Sequence, residues 1–407
     1  MAEGVRKRGK TWSYYFDGVQ INGERKKIEK GGFKTKKEAI DARIKAMNEY
    51  NNTGRTFSPK EISVADYLDY WLENAIKKNI DHGYSYDTYC CYEVIVRVHL
   101  KPAFGMYRLS SLQYSPDIIQ KWIDDMKTRT LSKNTIKNAL SCLSGALNYA
   151  IHPLKYIQIN PCAFVKIGRI PTDVDAKAHT EYVCPPEEFK RILERFPATN
   201  YFHISLVVPY NIGTRIGETF AIDLLHDVDF EKHEIHINKQ MVKVEKTWFF
   251  KPPKYDSYRT VKMGKTLEQA LHYVINEQKK NRLKYGQHYM KTYVLPDKSI
   301  TQIRADVVVP YQEIMPLCVK DNGALVTPES FKYCARVIHY ELGNALFHSH
   351  CLRHTHGTIL AENGVNPKSV MERLGHKDIK VTLQTYTFNT DAMKQNAVDA
   401  FENAAHA

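Results

Sequence analysis

Several common signatures are missing from this 407-residue chain. No apolar run approaches the roughly 20 residues that span a bilayer, which argues against a membrane-embedded protein. No G-x-x-x-x-G-K-[ST] stretch occurs, so a P-loop for nucleotide is excluded. Acidic residues do not cluster as ligands for Mg²⁺, and the H-E-x-x-H pattern of zinc proteases is absent. The eight cysteines (90, 91, 142, 162, 184, 318, 334 and 351) include no C-x-x-C pair. A chain of this size does not depend on disulfide staples, so reduced, mostly buried thiols are expected. There is no internal repeat and no low-complexity segment. Met1-Ala2-Glu3-Gly4 lacks the apolar core of a signal peptide, and a cytoplasmic location is expected.

What is present is ordinary in bulk and uneven in charge. Apolar residues make up 43% and charged residues 25%, enough for two or three domains with real cores. The net charge is +13, and residues 1–60 hold 15 Lys and Arg against 7 Asp and Glu, a net +8. Concentrated positive charge suits a polyanion, because each neutralised phosphate releases counterions. A solvated basic tail would carry the same charge, but this segment reads as folded. Thr11-Trp12-Ser13-Tyr14-Tyr15-Phe16 has strand composition, Val19-Gln20-Ile21 leads into the hairpin signal Asn22-Gly23, and Arg25 to Glu29 returns. A helix from about Thr35 would set Ala39, Ile40, Ile44 and Met47 on one face. Three short strands against one helix make a small domain whose basic ribbon (Arg6, Lys7, Arg8, Lys10, Arg25, Lys26, Lys27) fits a groove of double-stranded DNA.

Ser58-Pro59 marks a joint. Beyond it, Ser63 and Asp66 form a capping box before an apolar face of Val64, Tyr67, Leu68, Trp71, Leu72 and Ala75. Further helices are expected from Tyr84 to Leu100, from Ser115-Pro116 to Lys127 and from Ser132 to about Ile151, with Pro116 in a first turn where its missing N–H costs nothing. Asn160-Pro161 closes this all-helical region, and Gly168 to His179 reads as a linker. A third region opens at Cys184-Pro185-Pro186. Asp229 to Asn238, Gln240 to Lys251 and Arg259 to Met263 alternate like strands, and helices resume from about Pro328. The expected class is a multi-domain, helix-rich α+β protein, divided at 1–58, 59–168 and 169–407.

The chemistry-bearing residues lie in the third region. His350 and Arg353 are three apart and would share one helix face. Arg353 offers a planar fork for two phosphate oxygens. Arg215 follows Gly213-Thr214 at a turn-to-helix boundary, where backbone N–H groups also favour an anion. Two arginines on one phosphate would offset the charge of a pentacoordinate transition state. With no metal set in the sequence, the nucleophile is expected to be a side chain, and tyrosine can form a phosphoester. Other readings exist. His348, His350, His354 and His356 could suggest zinc, and Leu360 to Gly375, turning at Gly364 and restarting at Asn366-Pro367, is like a helix-turn-helix. That would make a non-catalytic DNA-binding regulator and leave Arg215 and Tyr386 idle.

The stretches NIGTRIGE, HSHCLRHTHGTIL and ERLGHKDIKVTLQTY, in that order, resemble the tyrosine recombinase (phage integrase) family. VHLKPAFGMYRLSSL is similar to that family's helical, SAM-like core-binding domain. The basic first segment resembles the arm-binding domain of integrases from temperate phages and Gram-positive conjugative transposons. The resemblance implies a site-specific recombinase that integrates and excises a mobile element without metal or cofactor. Tyr386 would attack the scissile phosphate to give a 3′-phosphotyrosyl link and a free 5′-hydroxyl. Arg215 and Arg353 would clamp the non-bridging oxygens, His350 would be general base and His376 would hydrogen-bond the phosphate. PPKYDSYRTVKM implies Lys254, not Lys251, as general acid, and Glu218 and Asp223 would support Arg215. Thr387-Phe388 departs from the commoner small residue and His. The implied partners are core and arm sites on double-stranded DNA and a homo-tetramer, with an excisionase or host DNA-bending protein as candidate accessories. The bound protein would sit on the bacterial nucleoid. Met393, Ala397, Val398 and Phe401 can line a terminal helix that docks on a neighbouring subunit or on its own domain. A chromosome-dimer resolvase of the same family is the rival, although such enzymes usually lack the basic first domain.

Overall fold

The computed structural model describes residues 4–21, 24–53, 62–80, 82–129, 131–168, 182–378, 395, 398–399 and 401–402. Asn22-Gly23, Ser58-Pro59, the linker beyond Gly168, Tyr386, Met393 and Ala397 lie outside the described residues. The chain divides into two compact units, Met1–Pro171 and Thr172–Ala407.

The first unit opens with an antiparallel sheet of strands β1 (Val5–Arg8), β2 (Thr11–Ile21) and β3 (Glu24–Phe33), in that order, and a helix, Lys36–Thr53. Thr35 and Glu38 begin the helix as a reciprocal box: the Glu38 N–H donates to Thr35 Oγ1 at 3.2 Å, and the Thr35 N–H donates to the Glu38 carboxylate at 3.3 Å. Tyr14, Phe16 and Ala46 centre the core, with Val5, Ile28, Phe33, Ala42 and Met47 against them. The helix face differs in part from the expected one. Ala39 is buried and Met47 packs on the core as expected, but Ile44 is 52% exposed, and Ala42 and Ala46 pack on the core in its place. The Arg43 side chain crosses beside Gly4 and donates from Nε to Tyr15 O at 3.1 Å.

A helical bundle follows. Val64–Trp71 continues through a wide turn at Leu72–Ile76, and Tyr86–Ile95 continues through Val96–Leu100 into Lys101–Phe104. Pro116–Thr128 and Lys133–Ile151 complete it. Ser63 Oγ accepts from the Asp66 N–H at 3.0 Å. All six residues of the expected apolar face, Val64 to Ala75, are buried. Burying each large member is worth about 1.5–3 kcal/mol. The Tyr67 hydroxyl donates to Ala146 O, so this helix and Lys133–Ile151 are joined by a polar bond as well as by packing. At the end of the bundle, Asn160 accepts from the Cys162 N–H at 3.0 Å and donates to Ser144 O at 3.2 Å.

In the second unit the helices Pro186–Arg195, His203–Ile212 and Ile216–Ala221 precede a sheet of β4 (Val228–Asp229), β5 (Glu234–Ile237) and β8 (Arg259–Lys262). The expected strand Gln240 to Lys251 is a hairpin of β6 (Gln240–Val244) and β7 (Thr247–Lys251). It turns at Glu245, whose φ of 54° no strand accommodates. The helix Lys265–Tyr285 leads to a second sheet, not foreseen from the sequence, of β9 (Met290–Val294), β10 (Ile300–Arg304) and β11 (Gln312–Ile314). Phe331–Glu341, Cys351–Glu362 and Pro367–Leu374 close the described fold. One core, running from Phe189 and Leu206 through Ile235 and Leu267 to Phe331 and Leu352, holds these elements together. No described helix is long and apolar enough to cross a membrane.

Candidate active site

Three element ends build the site. The helix His203–Ile212 stops at Gly213 in the left-handed region, φ 66°, and Arg215 then caps Ile216–Ala221. Glycine is required at 213 by the positive φ and by the lack of room for a side chain. A Cβ there would sit 2.3 Å from Leu374 Cδ2 and 2.9 Å from His356 Cδ2, and its carbonyl accepts from Arg353 Nη1 at 2.7 Å. Gly213→Ala is therefore expected to cost about 2–5 kcal/mol from left-handed strain and overpacking, read as a lowered urea midpoint. Unchanged stability would show that the two C-terminal helices do not pack this closely on the turn.

Arg215 is held on several sides. Its Nη1 donates to Glu218 Oε1 at 2.7 Å and to Ser257 Oγ at 3.2 Å, and its Nη2 donates to Gly375 O at 3.0 Å. Its backbone N–H is taken by Glu218 Oε2 at 2.9 Å. The first N–H of this helix start, expected to favour an anion, is thus satisfied internally. Arg215 Nε–H and one Nη2–H have no partner among the described residues. Glu218 is buried and also receives Arg259, from Nη2 to Oε2 at 2.7 Å. Burial alone would push the Glu218 carboxyl up, but the hydrogen bond and charge of Arg259, with Arg215 beside it, hold it below the ordinary carboxylate range.

His350 caps the helix Cys351–Glu362, and Arg353 lies in its first turn, 1% exposed. Gly375, left-handed at φ 68°, ends Pro367–Leu374, and His376 follows with its N–H on Met371 O at 3.1 Å. Burial, then the charges of Arg353, His354 and Arg215, lower His350 to about 3. Burial, then Arg353 and Arg215, lower His376 to about 3. The two guanidiniums therefore act on both imidazoles, and Arg215, His350, Arg353 and His376 share one neighbourhood. Both histidines are neutral at pH 7, able to accept or donate one proton each.

His354 and His356 are lowered to about 4, chiefly by burial. For all four histidines the folded value lies below the unfolded 6.5. The unfolded chain therefore binds protons first on acidification, and stability is lost as pH falls from about 6.5 toward 4. The melting temperature is expected to be flat from pH 7 to 8 and to drop below pH 6.5. His354→Gln should shallow that drop, and an equal slope in the variant would contradict it.

Lys254 stands exposed in the turn before β8, where Tyr255 and Asp256 have φ of 64° and 52°. Its Nζ lies 5.2 Å from the Tyr255 ring centroid. Three residues on, Ser257 touches Arg215, so the lysine turn is tied to the site. Lys251 ends β7 and lines a different depression with Asp223, Asp227 and Lys239. Asp223, expected beside Arg215, makes no bond to it among the described residues. Its Oδ1 accepts from the N–H groups of Leu225 at 3.1 Å and Met315 at 2.9 Å, and Oδ2 pairs with His226. It secures the loop after the Arg215 helix, because a buried carboxylate beside unpaired backbone donors is best satisfied by them. Tyr386 is outside the described residues.

Residues that sequence reasoning missed complete the surroundings. Arg373 donates from Nε to His356 Nε2 at 2.9 Å, and His356 Nδ1 donates to Tyr210 O at 2.9 Å. Arg259 donates from Nε to Arg373 O at 2.9 Å. Their signal was slight: an arginine opening a strand, and one inside an ordinary polar helix face. The second helix of the helix-turn-helix-like stretch buries Val370 and Leu374 and is fastened through Arg373 to Asn211 O at 3.2 Å. No group of three His, Cys, Asp or Glu among the described residues converges as a metal site.

In the first unit Arg6 and Arg8 lie on β1, and both reach Glu29 on β3, Arg8 at 3.3 Å. Alternation puts Lys7 on the opposite sheet face, opposite Trp12. Lys10 is exposed in the turn, and Arg25, Lys26 and Lys27 fall on β3.

Comparison with known proteins agrees with this anatomy. Residues 185–393 match the phage integrase family, residues 63–127 the N-terminal SAM-like domain of phage integrases, and residues 5–49 an arm DNA-binding domain. The ICEBs1 integrase of Bacillus subtilis is 25% identical over 92% of this chain and 91% of its own length. The transposase from transposon Tn916 of Enterococcus faecalis is 24% identical over 77% of this chain and 71% of its own. The Tn1549 transposon integrase in complex with transposon right end DNA shares the fold at a TM-score of 0.63 and 20% identity, covering 84% of this chain and 99% of that one. A lambda integrase dimer bound to a core site gives 0.52 at 14% identity, covering 95% of each chain. Fold and site together define an enzyme that cuts and rejoins DNA. The chain belongs to the phage integrase family of tyrosine recombinases and acts in site-specific recombination.

Proposed function

We propose that this recombinase integrates and excises a mobile element through a 3′-phosphotyrosine intermediate, with Tyr386 as nucleophile. The Tyr386 oxygen forms a bond to phosphorus as the P–O5′ bond breaks. The phenolic proton goes to His350, and Lys254 supplies a proton to the departing 5′-oxygen. Arg215 and Arg353 clamp the non-bridging oxygens, and His376 donates to one of them. The phosphotyrosine conserves the energy of the broken bond, so no nucleotide and no metal are needed. The scissile phosphate itself adjusts the general base. Its negative charge offsets the two guanidiniums that depress His350 and moves that imidazole back toward a useful range.

One observation carries the reading. Arg215 and Arg259 share the one carboxylate of Glu218, and Arg353, buried and bonded to the Gly213 carbonyl, acts with Arg215 on histidines kept neutral. Such a surplus of buried positive charge calls for an anion. We assign residues 1–58 to arm sites, residues 59–168 to core-site binding and residues 169–407 to catalysis. Arg6, Lys7, Arg8, Lys10, Arg25, Lys26 and Lys27 would contact arm DNA. The active assembly is a tetramer on two duplexes, aided by an excisionase or a host DNA-bending protein. The relative named as the transposase from transposon Tn916 favours a mobile element over chromosome-dimer resolution, and so does the arm DNA-binding domain match over residues 5–49, a domain that dimer resolvases usually lack.

The test is a nicked duplex carrying the element's end sequence, in which the short strand beyond the cut diffuses away. A detergent-resistant adduct to the 3′ side of the cut is expected, in buffer containing EDTA. Linkage to the 5′ side, or dependence on a divalent ion, would refute the proposed chemistry.

A further inference from the structure

Arg259 is the most heavily bonded cation near the site, and no step above uses it. It opens β8, its side chain is 6% exposed, and it joins three segments. Nη2 and Nη1 donate to the two Glu218 oxygens at 2.7 and 3.3 Å, Nη1 also to Ser257 O at 3.2 Å, and Nε to Arg373 O at 2.9 Å. These are the helix start that carries Arg215, the turn that carries Lys254 and the helix end that precedes His376. Gly375 leaves room for it, since a Cβ there would meet Arg259 Nη1 at 2.9 Å.

We propose that Arg259 is a positioning residue that keeps Arg215 positive toward the scissile phosphate by sharing the buried Glu218 carboxylate.

The reasoning is electrostatic and rests on the proposal that Arg215 clamps that phosphate. Arg215 and Glu218 alone would be a neutral pair, and a buried pair with no net charge stabilises a developing anion poorly. With Arg259 the group carries a net +1. Glu218 divides its oxygens between the two arginines, so one Arg215 edge, Nε–H and an Nη2–H, stays turned away from the carboxylate. Arg259 touches neither substrate nor the reacting atoms; it acts through Glu218.

Two nicked end-sequence duplexes test this, alike except that the scissile linkage is a phosphodiester in one and an uncharged methylphosphonate in the other. Adduct formation is measured in single turnover with the full-length protein in excess. Arg259→Gln is expected to slow the phosphodiester about 10–100-fold, as loss of a supporting partner commonly does, with half-saturation little changed. On the methylphosphonate, which needs one positive charge fewer, the defect should largely vanish. Arg259→Lys, which keeps the charge, should recover most of the phosphodiester rate. Should Gln lower the melting temperature, Glu218→Gln/Arg259→Gln decides: removing one charge of each sign leaves Arg215 positive and should restore cleavage relative to Arg259→Gln. An equal defect on both linkages, a Lys variant as slow as Gln, or no rescue by the pair would overturn the proposal. A wild-type protein that forms no adduct would refute the recombinase chemistry itself, a distinct failure.

Discussion

Tyr386→Phe is expected to abolish covalent capture of DNA and leave DNA binding intact. The change removes one oxygen and keeps the ring. A phenol is ordinarily protonated at neutral pH, with a pKa of about 10, so attack requires both a base and a positive field. The site has the means for each. His350 is neutral and able to take the proton, and Arg215 and Arg353 supply the field that favours a phenolate beside phosphorus. Without the hydroxyl, only water could attack, and rates about 10⁴-fold lower or worse are expected, as when other covalent catalysts lose their nucleophile. A denaturing gel reports the adduct, and a band shift on the same duplex reports binding. Equal adduct in the Phe variant would mean that another side chain attacks, and DNA binding with no adduct from the wild-type protein either would favour a regulator.

The second large effect is expected at Arg353. Its guanidinium is 1% exposed, and Nη1 is committed to Gly213 O at 2.7 Å. A planar fork can serve that carbonyl and still face an oxyanion, whereas a lysine ammonium cannot span both positions. Arg353→Lys should therefore fold and bind DNA but cleave about 10²–10³-fold more slowly, the usual result of losing one donor to a transition-state oxygen. Arg353→Ala adds a structural penalty of about 1–3 kcal/mol, because the Gly213 carbonyl loses its buried donor. Single-turnover cleavage and a melting curve separate the two effects. A Lys variant with wild-type rate would remove Arg353 from the phosphate clamp.

Much of this was legible in the chain. The Ser63 box, the apolar face from Val64 to Ala75, Pro116 at a first turn and Pro186 opening a helix follow from local rules that need no tertiary knowledge. The helix Lys36–Thr53 was found with Ala39 and Met47 inward, but Ile44 was misplaced, because its bulk outweighed Ala42 and Ala46, which allow closer approach to the sheet. The sheet β9–β11 escaped notice. Its strands mix Lys, Thr, Gln and Arg with the apolar residues, and their pairing is long-range in part, β11 adding to the edge of β9 opposite β10. The family resemblance implied Asp223 as a support for Arg215, whereas the fold gives its carboxylate to the backbone of Leu225 and Met315.

The residue types and their order determined the kind of chemistry: arginines that stay charged, histidines that can stay neutral and a tyrosine that can be esterified are properties of the side chains themselves. How those charges balance was decided only by the tertiary structure. The sharing of Glu218 between Arg215 and Arg259, and the bond from Arg353 to the Gly213 carbonyl, join positions 41 and 140 residues apart. A guanidinium has the same charge anywhere in a sequence, but its effect on a phosphate depends on burial and on which carboxylate stands next to it. Those are distances in space, and only the fold sets them.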